Sequence, residues 1–210
     1  MRPNLKELSS TLNAHKAKYL IVGGYAVGFH AQPRATKDLD IFIRPDAQNA
    51  KAVYDALATF GAPLQGITPN DLLGRDGFFR MGHAPVMIEI LPSIEGVEFD
   101  DAWQGRVEIV IDAETGLTAF MLSREDLITA KLAAGRPQDL ADVDALRKAE
   151  EVQSPPLKKT RSRSRKASQA PGFPGRASWE GPASTPQEFL PGRIWGPSVI
   201  MVFQVGSERW

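Results

Sequence analysis

The sequence predicts an α/β (α+β) domain, a mixed sheet flanked by helices, over residues 1–150, and a disordered tail over 151–210. Two observations carry this. Short apolar runs of strand length, Tyr19 to Val22, Asp38 to Ile43 and Pro85 to Leu91, alternate with segments of helical period. Past Glu151 the periodicity fades: residues 151–210 hold eight of the 16 prolines, and nine Lys or Arg against four Glu. Because the whole chain balances 25 basic with 25 acidic residues, that basic surplus is matched by an acidic excess in the body.

The elements follow in order. Leu5, Leu8 and Leu12 make an apolar stripe on a helix over about 4–16. Tyr19-Leu20-Ile21-Val22 is a buried strand that breaks at Gly23-Gly24, where a short helix starts. After the strand Asp38 to Ile43, Pro45-Asp46 opens a helix through Phe60 with Gly61 as its stop. Residues 61–77 are loop with one helical turn near Asn70 to Leu73, and Phe78 to Met81 is a short strand. Phe99 to Ile111 and Leu117 to Leu122 read as further strands around Gly116. Ser123 caps a helix that runs to Gly135, with Asp126 as the other half of a variant capping box, and Arg136-Pro137 opens a last helix, Gln138 to Ala149. In the tail, 194–205 (IWGPSVIMVFQV) reads as a candidate edge strand.

The chemistry gathers in residues 18–43. Alternation along a strand puts Asp38 and Asp40 on one face and Leu39, Ile41 and Ile43 on the other. Two carboxylates that close repel, and a divalent cation such as Mg²⁺ resolves the conflict. An isolated Asp-x-Asp also fits the solvated face of an edge strand. The glycine pair fits a phosphate cradle at a helix N-terminus, or equally a tight turn with no ligand. Glu89 interrupts the apolar run of residues 85–91 and needs a reason to be there: a third metal-binding carboxylate, an exposed edge, or a pair with an arginine such as Arg80.

Val22-Gly23-Gly24, then Thr36-Lys37-Asp38-Leu39-Asp40-Ile41, then Ile88-Glu89-Ile90 resembles the nucleotidyltransferase superfamily. Within it, the Gly-Gly-x-Ala opening, the arm Arg34, Thr36, Asp38, Asp40, and the later segment with Lys131, Arg136, Asp139 and Asp142 are similar to minimal nucleotidyltransferases of the AbiEii toxin type. The resemblance covers about 15–148. It departs from the family where Gly24 replaces a common serine and where Glu89 replaces a common aspartate. It implies transfer of a nucleoside monophosphate from a nucleoside triphosphate, ATP included, to an acceptor hydroxyl. Asp38, Asp40 and Glu89 would be the catalytic and metal residues, with two Mg²⁺ ions. Gly23, Gly24, Arg34, Thr36 and Lys131 would bind nucleotide. It also implies a toxin of a toxin–antitoxin pair, with tRNA or a protein as acceptor and a cognate antitoxin as partner. A non-catalytic binding module on the same fold, or an antibiotic-modifying enzyme, remains an alternative.

The chain has no cysteine, which excludes disulfides and thiolate metal sites. No apolar run reaches membrane-spanning length and MRPNLKELSS lacks a signal-like core, so a cytoplasmic location is the expectation. His15, His30 and His83 show no metal-like spacing. The basic run 158–166 lacks interleaved aromatics, which favours a solvated extension over a nucleic-acid strip.

Overall fold

The computed structural model describes residues 3–33, 36–74, 77–83, 86–153 and 202–205. Helix α1 (Pro3–Ala14) leads into β1 (Tyr19–Ile21), α2 (Gly23–His30), β2 (Asp38–Ile43) and α3 (Ala47–Phe60). A 3-10 turn (Pro69–Leu72) precedes β3 (Gly77–His83) and β4 (Val86–Leu91). The chain continues with α4 (Phe99–Gln104), β5 (Val107–Asp112), β6 (Leu117–Met121), α5 (Arg124–Ala134), α6 (Pro137–Gln153) and β7 (Val202–Val205). The strands form one seven-stranded sheet in the order β5-β6-β1-β2-β4-β3-β7. It is mixed: β1 runs parallel to β6 and β2 to β4, while β1 and β2, β3 and β4, β5 and β6, and β3 and β7 are antiparallel. Among the described residues no helix is long and apolar enough to cross a membrane.

Local chemistry sets most of the boundaries. Asp46 caps α3 by accepting from the Asn49 N–H at 2.9 Å, and Gly61 ends it in the left-handed region at φ 84°. Ser123 caps α5: its Oγ accepts from the Asp126 N–H at 3.0 Å and donates to Asp126 Oδ2 at 2.7 Å. The buried Asn49 is fully engaged. Its Oδ1 accepts from the Lys18 N–H, and its Nδ2 donates to the carbonyls of Lys18 and Arg44, which ties the start of β1 to the end of β2.

The leucine stripe of α1 packs on α3 and the sheet, and Leu39, Ile41 and Ile43 of β2 are buried on their side. Helix α2 lies over the other side of β2, in contact with α5 and α6. The acid-bearing face of β2 therefore sits beneath α2, near the α5–α6 pair.

One sequence expectation is corrected. Residues 99–111 are not a continuous strand: Phe99–Gln104 forms α4, and only Val107–Asp112 pairs as β5. Phe99, Ala102 and Trp103 share a helical stripe, and Asp100 and Asp101 sit in the first turn, where the helix dipole favours them. Phe99 meets Phe42 edge-on at 5.1 Å between centroids and stacks on Trp103 at 5.7 Å, and Trp103 meets Phe120. The α4 stripe is thus satisfied by distant aromatic partners. Helix α6 also runs past the expected boundary to Gln153, and β7 joins the sheet edge within the segment read as a candidate strand. The basic run 158–166 and the remainder of the tail lie outside the described residues.

Candidate functional site

The site grows from β2 and β4. Their parallel register sets Asp38 opposite Met87 and Asp40 opposite Glu89, so the three acids share one face of adjacent strands. Glu89 does not turn to the opposite side. Asp40 and Glu89 are buried, and Asp38 is half-exposed at the mouth.

Asp40 is the centre of strain. Burial first, then the charges of Glu89 and Asp38, push its carboxyl up to about 7, against the opposing effects of the Gly24 N–H and Lys131. Gly23 sits at φ +59°, and a Cβ there would meet Asp40 Oδ2 at 1.8 Å, so only glycine permits the close approach of α2 to the carboxylate. The Gly24 N–H, expected to face a phosphate, donates to this carboxylate. Among the described residues Asp40 Oδ1 is buried with no hydrogen-bond partner.

Glu89 is paired with Arg80, its cross-strand neighbour on β3: the guanidinium Nε and Nη2 both meet Oε1. Burial still holds the Glu89 carboxyl above its usual range, reinforced by Asp38 and opposed by Arg80. Among the described residues no three His, Asp or Glu side chains close into a metal-holding group. The donor set nonetheless fits a divalent cation in part. The orphaned Oδ1 of Asp40 and the adjacent Asp38 offer hard oxygens at an acid-rich point. Glu89, as placed, serves Arg80.

The other expected residues divide. Thr36 donates its hydroxyl to the Asp38 carbonyl at 3.2 Å, which shapes the entry to β2. Arg34 lies outside the described residues. Lys131 sends its field to Asp40 while its Nζ is held by Asp139 Oδ1 at 2.6 Å and Asp142 Oδ2 at 2.9 Å. Arg136 adds a second cation on Asp139 Oδ2 at 2.6 Å. Burial works to raise the Asp139 carboxyl, but Lys131 and Arg136 together leave it below the usual range.

Sequence reasoning weighed Arg80 only as an ordinary partner and gave His30 no role. His30 Nε2 lies 2.8 Å from the Leu122 carbonyl, tying the end of α2 to the start of α5, and burial lowers its pKa. A cavity of about 570 Å³ lies apart from the acids, between the end of α2 and α6, and is lined by Ala31, Gln32, Ala141, Asp144, Ala145, Lys148 and Ala149. It gathers none of the convergent charge that phosphoryl chemistry needs, so the acid face is the stronger candidate.

The model of a family described as "Nucleotidyltransferase of unknown function (DUF6036)" matches residues 3–169. No curated protein matches the chain.

Proposed function

The chain belongs to that family of nucleotidyltransferases of unknown function, and on this premise we propose that it moves a nucleoside monophosphate from a nucleoside triphosphate to an acceptor hydroxyl with a divalent cation. One observation carries the reading: a buried carboxylate, Asp40, with one oxygen orphaned, beside Asp38 and Glu89 and beneath the backbone of a glycine pair. Such an uncompensated group draws a cation.

In this reading Asp38 and Asp40 would hold two Mg²⁺ ions, and Glu89, released from Arg80, would complete the shell of one. Bound Mg²⁺ would polarise the phosphoryl oxygens and offset the charge of departing pyrophosphate. The acceptor oxygen bonds to the α-phosphorus as the bond to the bridging oxygen breaks, and pyrophosphate leaves with the electron pair. The hydroxyl proton would pass to the free oxygen of Glu89, which lies on the same face as Asp38 and Asp40. Lys131 contributes positive potential toward the phosphates from its place between Asp139 and Asp142, Thr36 shapes the entry to β2, and Arg34 would meet the nucleotide. The finer part of the proposal is a toxin that modifies tRNA or a protein and is held in check by an antitoxin.

A second reading, a binding module without turnover, has its own support: Glu89 and Lys131 both already have partners within the chain. Incubation with α-radiolabelled nucleoside triphosphates, Mg²⁺ and total tRNA separates the two. Transfer of label by the wild type and not by Asp38→Ala/Asp40→Ala is the expected result. Absence of transfer, together with calorimetry showing no binding of Mg²⁺ or triphosphate, would overturn the enzyme reading.

A further inference from the structure

Arg80 is placed differently from the other cations near the site. Its strand position on β3 is the register partner of Glu89 on β4, so the ion pair is fixed by the sheet itself. Glu89 is 1% exposed while the Arg80 side chain is 37% exposed, so the acid cannot reach water but the guanidinium can. Two nitrogens of Arg80, Nε and Nη2, converge on Oε1 of Glu89. The Phe78 ring, two residues along the same strand, already lies 5.8 Å from the guanidinium carbon while Arg80 is paired with Glu89, so a second contact remains to the guanidinium when the acid turns away.

Charge balance gives the pair its consequence. Three carboxylates share the face, and Arg80 is the cation bonded to one of them. A buried acid stays ionised only with a positive partner and otherwise takes up a proton. Arginine keeps its charge across the whole working pH range, so pH does not remove it from Glu89.

We propose that Arg80 is a resident counter-ion that competes with a divalent cation for Glu89, and thereby sets how tightly the acid face takes that cation. This rests on the reading that the acid face binds a divalent cation. When a cation enters beside Asp38 and Asp40, the Glu89 carboxylate turns from the guanidinium to the cation, and Arg80 swings toward solvent over Phe78. The affinity of the site is therefore the difference between two ion pairs, and weakening the first strengthens the second.

Mn²⁺ titration of the full chain, followed by the loss of the free-ion electron paramagnetic resonance signal, tests this without reference to turnover. Arg80→Met is expected to bind Mn²⁺ more tightly than wild type by about tenfold, the factor that one pK unit of electrostatic coupling represents. It is also expected to melt at a lower temperature in chelator and to recover with Mn²⁺. Arg80→Lys keeps the charge without the fork and serves where Arg80→Met fails to fold, with a smaller gain in affinity. Arg80→Met combined with Glu89→Gln removes both charges and is expected to lose the gain while staying folded. Mn²⁺ binding by wild type with no tightening in Arg80→Met and Arg80→Lys would overturn the role of Arg80 and leave the cation reading standing. No Mn²⁺ binding by wild type or by any variant would overturn both.

Discussion

Two buried charge clusters sit within reach of each other's fields, and they have opposite balances. On α5 and α6, the carboxylates of Asp139 and Asp142 meet the cations Lys131 and Arg136, with each bond at 2.6 to 2.9 Å. The Asp139 carboxyl accordingly falls below its ordinary range. On β2 and β4, Asp38, Asp40 and Glu89 share a face, Arg80 bonds to Glu89, Asp40 Oδ1 has no partner among the described residues, and the Asp40 carboxyl rises to about 7 against the weaker pull of Lys131. Asp40, Glu89, Asp139 and Asp142 are all closed off from solvent at their surfaces, but Asp40 lies deeper than Asp139 and Asp38 is half-exposed, so depth and missing partners act together on the acid face. The comparison teaches that burial of acids does not by itself mark a binding site; burial without compensation does.

The sharpest break of the comparison is to remove a partner from the balanced cluster. Asp139→Ala removes two charge-assisted bonds, those from Lys131 and Arg136, and denaturant unfolding is expected to show a loss of about 4 kcal/mol. The reverse holds on the acid face. Asp40→Asn removes a charge that the fold tolerates poorly, and is expected to gain about 4 kcal/mol at pH 8.

The sign of that effect follows from linkage. The folded pKa of Asp40, about 7, lies above the ordinary 3.8 of a free aspartate, so the folded state holds the proton more tightly than the unfolded chain. The associated stability is fully present below about pH 3.8 and is lost as pH rises through about 7. The gain of Asp40→Asn over wild type should therefore open across that window and level off above it, which unfolding curves at several pH values would check.

A smaller effect is expected at Gly23→Ala. There the new Cβ meets the Asp40 carboxylate and the backbone is at φ +59°, and calorimetric melting should show a loss of about 2 kcal/mol. The smallest marks the baseline. Lys51→Ala breaks an exposed i,i+4 pair with Asp55, far from either cluster, and should change unfolding free energy by less than about 0.5 kcal/mol.

What the sequence disclosed tracks the range of the forces involved. The caps at Asp46, Ser123 and Gly61, the stripe Leu5, Leu8, Leu12, and the shared face of Asp38 and Asp40 all depend on neighbours within a turn or a strand, and these were legible. Helix α4 was not: it is held by Phe99 on Phe42, a contact between residues 57 positions apart, and VEIVI invited an extended reading back through Phe99. The exact facing of Asp40 and Glu89 depends on β2 pairing parallel to β4, which alternation alone does not specify. The closing of Lys131 onto Asp139 and Asp142 required the angle between α5 and α6. The approach of Gly23 to Asp40 was hidden for the same reason, because a glycine pair at a helix start does not reveal which side chain lies beneath it.

The central claim is that Asp40 is a buried acid without compensation. Its most direct test is a carbon-13 NMR titration of the aspartate side-chain carboxyls, with Asp40→Asn to assign the signal. The account predicts one aspartate titrating near 7, absent from the variant and displaced downward when Mg²⁺ is added. An Asp40 signal that titrates in the ordinary aspartate range near 4, indifferent to Mg²⁺, would contradict it.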